Sequence, residues 1–338
     1  MLKRMSGSGE GSGGGTPSSL VQAATPALVP VDTSKPSAAL ELHSVAPTPA
    51  PNRWWRDYVM SPWSWTRASN QAGNLPTPVK GEAGGFDVTS AALGGRRAYL
   101  KPLRRGATPA HARAAREKIA SDLAHDLGVR VPPVVLYQRQ GFPSGEEEFV
   151  CVSLVMHRRQ WSWQLMHSRI LSASADDEER KIAMLTMPKA AAQGLALDTW
   201  LQQLDHGGPD GKRGHPHNII YGYDGAPETG EYVFLDYAFS LGFPLQPANE
   251  NAWANGGWKN ELFPPFPAFM LRWLDKDELE AKVSGIESYD DSAISTLVGR
   301  LPETHLAKDQ QQIIIDGLIG RKKLVRKILS SHLKGAVS

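Results

Sequence analysis

Between residues 197 and 237 three oxygen-bearing side chains stand where regular elements stop, and their placing constrains the fold more than any other feature of the chain. A helix end, Leu197-Asp198-Thr199-Trp200, runs on to Asp205 and a glycine-rich loop. Asn218 stands directly before the apolar run Ile219-Ile220-Tyr221, and Asp236 closes Val233-Phe234-Leu235. Carboxylate and amide oxygens are hard ligands suited to Mg²⁺. An Asp held in a loop can orient or deprotonate an attacking hydroxyl.

Upstream, glycine punctuates short strand-like runs. Gly94-Gly95 lies between two of them, the second being Arg96 to Lys101, which predicts a hairpin. A helix follows, with Thr108 as N-cap, Pro109 at its first position and Gly128 as its stop. Ile119, Leu123 and Leu127 recur on it at four-residue spacing. Glu117 lies on this helix, so it and Lys101 can face one cleft. A strand lysine fixed by a helix glutamate holds an ammonium against nucleotide phosphates. The bland alternative is a surface ion pair worth under about 1 kcal/mol. Residues 131–137 and 148–156 read as strands, the second buried on both faces.

The C-terminal part reads as mostly helical. Residues 189–204, rich in Ala and Leu, predict a helix, and 232–237 a short strand. Residues 266–273, 275–283, 291–297 and 310–333 predict further helices. The last carries Arg321, Lys322, Lys323, Arg326 and Lys327, read as an ordinary solvated face, with membrane or nucleic-acid contact as the alternatives.

Composition narrows the function classes. Thirty-seven Lys and Arg against 35 Asp and Glu leave +2, so there is no specific nucleic-acid signal. The one cysteine, Cys151, sits in an apolar run and reads as core; it allows neither an internal disulfide nor a multi-cysteine zinc site. His206, His215 and His217 meet no standard zinc spacing. No apolar run is long enough for a transmembrane segment. Residues 1–50 contain no Phe, Trp or Tyr and are rich in Gly, Pro, Ser and Ala, which predicts a disordered leader. Residues 51–75 hold Trp54, Trp55, Trp63 and Trp65, four of the ten tryptophans, plus Tyr58. Those rings seal one edge of the following domain or, through 53–65, bind a partner. Cytoplasm is the default location for such a chain, with delivery elsewhere through the leader left open.

The segment 197–237 resembles the catalytic core of HipA-like kinases, relatives of the phosphatidylinositol 3/4-kinases. That family has an Asp-x-Trp helix end, an Asn-x-Asp-Arg loop, an Asn before a short strand, and an Asp that opens a metal-binding turn. Tyr99-Leu100-Lys101-Pro102 resembles its lysine strand, and Leu127-Gly128-Val129-Arg130-Val131-Pro132-Pro133 a family turn. The resemblance implies an α+β, two-lobed protein-kinase-like fold, with a small mixed N-lobe over 76–158 and a mainly helical C-lobe over 159–338. It implies ATP and Mg²⁺ as cofactors, Gly84 and Gly85 over the phosphates, and Lys101 held by Glu117. It also implies Asn218 and Asp236 on the metal, and a protein substrate phosphorylated on Ser or Thr, the chain itself included.

The departures are specific. Asp205 precedes Asn218 by 13 residues where the family has about five, so either the loop carries an insertion after Asp205 or Asp210 has taken the role of base. His206 replaces the usual Arg, and Gln203 the usual Asn. A nucleotide-binding pseudokinase scaffold, an AMP transferase and a lipid or small-molecule kinase stay open as alternatives.

Overall fold

The computed structural model describes residues 53–67, 86–101, 110–139, 148–161, 178–207, 218–226, 229–243 and 251–333. The leader 1–50, Gly84, Gly85, the predicted cap Thr108-Pro109, Asp210, His215 and His217 lie outside them.

The chain enters through a one-turn helix, α1 (Arg53–Asp57), and strand β1 (Thr66–Arg67). The predicted hairpin is β2 (Phe86–Ser90) with β3 (Arg96–Lys101), paired antiparallel. Its connection is longer than the glycine pair alone. A 3₁₀ turn, Ala91–Leu93, precedes Gly94 and Gly95, whose φ angles of 63° and 76° reverse the chain. Helix α2 (Ala110–Asp126) follows and stops where Gly128 predicts. Gly128 adopts φ 67°; its N–H donates to the His125 carbonyl at 3.0 Å and that of Val129 to Ala124 at 2.8 Å, a Schellman closure. Strands β4 (Val134–Arg139) and β5 (Glu148–Leu154) complete a five-stranded sheet in the order β1-β2-β3-β5-β4. Residues 150–154 are all buried, so β5 is covered on both faces.

The aromatic segment straps this sheet. Its inner part meets β4 through a parallel bridge of Met60 with Leu136, and β1 pairs with β2 at the opposite edge. Between these anchors Trp55 stacks on Trp63 at 4.8 Å and meets Trp65 edge-on at 6.2 Å. Trp55 and Trp65 are buried with Val88, Leu100, Val135 and Val152 in a core of their own on that face.

The remainder holds a small sheet among helices. Strand β6 (Arg159–Trp161), helix α3 (Glu178–Leu201), and strands β7 (Ile219–Tyr223) and β8 (Glu231–Phe234) come first; the sheet order is β6-β7-β8. Then come α4 (Ala268–Leu271), α5 (Lys276–Glu287), α6 (Asp291–Gly299), α7 (Lys308–Lys322) and α8 (Val325–His332). Asp275 and Asp290 cap α5 and α6, each accepting a backbone N–H from within the first turn. A second core joins Ile119 and Leu123 of α2 to Leu195 and Trp200 of α3, Ile286 of α5 and Leu318 of α7. All described residues belong to one compact unit, and among them no helix is long and apolar enough to cross a membrane.

Five expectations need correction. Helix α3 begins at Glu178, not after Pro188, which lies inside it. A proline forfeits one helical bond, and burial of Met187, Ala191, Ala192 and Leu195 carries the helix through it. The predicted 266–273 helix shrinks to the single turn of α4, and the 232–237 strand ends at Phe234 because Asp236 turns left-handed. The predicted 310–333 helix is two helices, broken at Lys323 and Leu324, where N–H groups bond three residues back instead of four. Finally, the basic face is not uniformly solvated. Arg321 is fully buried and donates to the carbonyls of Thr199 (2.7 Å), Trp200 (3.1 Å), Trp258 (3.0 Å) and Asn260 (2.8 Å). Lys322 is buried against the Tyr289 carbonyl and Asp291. Arg326 bridges Glu280 and Glu287, while Lys327 stays exposed beside Glu261.

Candidate active site

Lys101 ends β3 and lies opposite Cys151 of β5, at the margin of the large sheet. Glu117, two turns into α2, sits 2.7 Å from its ammonium. Asp236, which follows β8, approaches the same ammonium at 3.6 Å. A strand, a helix and a post-strand turn therefore converge on one charge. The Lys101 and Glu117 side chains are only 13% and 3% exposed, so this is a buried pair rather than a surface one.

The three groups set one another's charge. Burial alone would lower the Lys101 pKa; Asp236 and Glu117 outweigh it and raise it. Glu117 is pushed up to about 7, first by burial and then by the nearby Asp236 carboxylate, with Lys101 opposing. Burial would also raise Asp236, but Lys101, a hydrogen bond from Glu117, Arg113 and His206 together hold it below the ordinary carboxylate range. Asp236 is thereby the more acidic of the two carboxyls beside the ammonium. Cys151 is buried beside them with its thiol pushed up by burial, in keeping with a core residue.

Asp236 adopts φ 60°, ψ 66°, a left-handed conformation that costs a non-glycine residue about 1–2 kcal/mol. Such strain persists only where the surroundings over-determine it. Here three bonds do so. The Leu235 N–H donates to the Asn218 carbonyl at 2.7 Å, Gln203 Nε2 donates to the Asp236 carbonyl at 2.8 Å, and His206 Nε2 lies 2.6 Å from the Leu235 carbonyl.

Asp205 and Asn218 are in contact despite the 13 residues between them. Asn218 Nδ2 donates to the Asp205 carbonyl at 3.1 Å and to its carboxylate Oδ2 at 3.3 Å. Asp205 and Asn218 therefore stand side by side. Of the predicted site residues, Lys101, Glu117 and Asp236 form one cluster, and Asp205 with Asn218 form a second. The Leu235–Asp236 turn joins them through the Asn218 carbonyl. Gly84, Gly85 and Asp210 lie outside the described residues.

Sequence reasoning noticed Gln203, His206 and Asp198 only as motif letters. The structure makes them a buried hub. His206 Nδ1 lies 2.7 Å from Asp198 Oδ2, and the Tyr237 hydroxyl donates to Asp198 Oδ1 at 3.0 Å. One signal was available: Asp198 is the lone charge in the apolar helix end Leu195-Ala196-Leu197-Asp198-Thr199-Trp200-Leu201, and a buried charge demands a partner.

A divalent cation fits the donors present. Asp236 Oδ1 is buried without a hydrogen-bond partner, and the observed Asn218 bonds use its amide nitrogen, leaving its carbonyl oxygen as a hard donor. Among the described residues no group of three or more His, Cys, Asp or Glu side chains stands ready to enclose a metal. Mg²⁺ held by one or two protein oxygens needs no such cage, because water and phosphate complete its shell.

No protein-family model matches the sequence, and no curated protein matches it. Fifty chains of solved structures match. One is a Ralstonia eutropha JMP134 protein described as an aminoglycoside phosphotransferase by assignment, 14% identical, with a TM-score of 0.28 over 81% of this chain and 97% of that one.

Proposed function

We propose that the protein is an ATP- and Mg²⁺-dependent phosphotransferase with a protein-kinase-like, two-lobed arrangement, acting on Ser or Thr of a protein or of itself. The observation that carries this reading is the convergence of Lys101, Glu117 and Asp236 on one buried centre, beside an Asp205–Asn218 contact. Phosphoryl transfer needs an ammonium and a metal-binding oxygen at the phosphates and a carboxylate at the attacking hydroxyl, with little covalent chemistry from the protein.

In this reading Lys101 binds phosphate oxygens, and Glu117 fixes the direction of its ammonium. Asp236 and Asn218 would hold the cation, which would supply neutralisation of phosphate charge. Asp205 orients the acceptor hydroxyl and takes its proton. Its contact with Asn218 supports Asp205 as the base and the intervening loop as an insertion. The strained turn holds the Asp236 carboxylate in place before any ligand arrives, which is preorganisation.

The test is incubation with γ-labelled ATP and Mg²⁺, alone and with cell lysate, against Asp236→Ala and Asp205→Asn. Label on the protein or a lysate protein, lost in both variants, supports the reading. Label from α-labelled ATP alone would replace it with AMP transfer. Nucleotide-dependent stabilisation without label would make the protein a binding scaffold.

A further inference from the structure

Each ring nitrogen of His206 has an acceptor as its nearest polar neighbour, and the Gln203 amide nitrogen stands farther from Nε2, at 3.3 Å. Nδ1 lies 2.7 Å from the Asp198 carboxylate and Nε2 lies 2.6 Å from the Leu235 carbonyl. A carbonyl oxygen cannot donate, so Nε2 must carry a hydrogen. The carboxylate oxygen at Nδ1 is an acceptor too, unless Asp198 is itself protonated, and its other oxygen already accepts the Tyr237 hydroxyl. Both His206 and Asp198 side chains are fully buried, where an unpaired polar group is costly.

We infer that His206 is held as an imidazolium by Asp198 and is a positioning residue, fixing the Leu235–Asp236 turn from the position next to Asp205. With Asp198 ionised, either neutral tautomer leaves one acceptor facing another: with the proton on Nδ1 the Leu235 carbonyl loses its donor, and with it on Nε2 the carboxylate does. The doubly protonated ring satisfies both. The groups around it agree. Asp198 from α3 pairs with it, Asp205 precedes it, and Asp236 and Tyr237 approach from the turn after β8. Tyr237 meets the ring edge-on at 4.9 Å, and Phe234 of β8 lies 5.9 Å away. Gln203 Nε2 lies 3.3 Å from His206 Nε2 and bonds the Asp236 carbonyl, so the same hub grips two successive carbonyls. Burial would lower the imidazole's pKa, and Asp198, the Leu235 carbonyl and Asp205 reverse that and raise it. Burial also raises Asp198, against the pull of His206 and the Tyr237 hydroxyl. The placing of the shared proton therefore rests on the Leu235 carbonyl and the Tyr237 hydroxyl, which both favour the ionised carboxylate beside a charged ring. A histidine thus does the work of a permanently charged side chain, at the position where the resemblance leads one to expect arginine.

The positioning role rests on the phosphotransferase reading, whereas the charge state does not, so two measurements separate them. In ¹⁵N-histidine-labelled full-length protein, the resonance lost in His206→Arg should show both ring nitrogens protonated throughout pH 6–9. In Asp198→Asn the ring should carry a single proton, on Nε2, with Nδ1 accepting from the new amide. A single ring proton in the unaltered protein, or ordinary titration near pH 6.5, overturns the proposal whatever the activity. In the transfer assay His206→Gln should lose about 10- to 100-fold in kcat, as supporting-residue losses do. His206→Arg, with two donor arms and a fixed charge, should lose less. Equal losses in an active enzyme would overturn the positioning role and leave the imidazolium as a structural feature only.

Discussion

Arg321 offers the sharpest quantitative test of the fold. Burial lowers its pKa to about 10, which corresponds to a desolvation cost of roughly 3 kcal/mol at neutral pH. Against this stand four bonds to carbonyls, and bonds to a charged donor contribute about 1.5–3 kcal/mol each. The bonds win. Arg321 also holds the Thr199 and Trp200 carbonyls in the last turn of α3, which have no helical partner of their own, so it acts as a C-terminal cap supplied from α7. In Arg321→Lys the charge stays but the planar fork is lost, and one ammonium cannot reach four divergent oxygens. At least two buried carbonyls are then left unsatisfied, at about 1–3 kcal/mol each. Urea unfolding at pH 7 should show a loss of about 2–4 kcal/mol with an unchanged m-value. A loss under about 0.5 kcal/mol would show that these carbonyls find other partners and refute the reasoning.

Three further outcomes are expected. Glu117 keeps its proton to about pH 7, so its contribution to stability is full below about pH 4.5 and is lost as pH rises through 7. The stability of the unaltered protein relative to Glu117→Gln should therefore fall between about pH 5 and 8, and a difference that rises with pH would mean that Lys101 governs Glu117 instead. Gly194→Ala should cost about 1–3 kcal/mol, read by thermal unfolding, because its methyl would lie 2.2 Å from the Phe234 ring and drive α3 off β8. Trp55→Ala should cost about 3–5 kcal/mol and loosen the sheet, seen as faster hydrogen exchange at Val150 and Val152, since the ring is buried at the centre of the strap.

The local signals in the sequence were strong where the backbone has few choices. Gly128 ends α2 because only a residue at ease with φ near +67° closes the helix there, and Asp275 and Asp290 open theirs by capping. Lys101 and Glu117 could be paired on paper because strand end and helix face are both set locally. What stayed hidden depends on contacts between distant segments. Nothing around Arg321 announces that four carbonyls from two other segments await it, and its basic neighbours suggest the reverse. Pro188 reads as a helix boundary until the packing of Met187 and Leu195 is known. The contact of Asp205 with Asn218 could not be read from a 13-residue gap, because spacing gives contour length and not where a loop returns. The His206 hub fell between these cases: the departure from arginine was visible, its compensation by Asp198 was not.

The strap of α1 and β1 has a consequence for how the chain is made. Residues 53–67 leave the ribosome early, yet the strand that Met60 joins is synthesised more than seventy residues later, and the central strand β5 later still. Until then Trp55 and Trp65 have no sheet to lie on, and their rings are available to any other nascent chain. The contacts between strap and sheet thus wait on strands made long after the strap itself. Slowing translation between residues 67 and 134 would lengthen that exposed interval, whereas starting the chain beyond the strap would leave both sheet edges open from the outset.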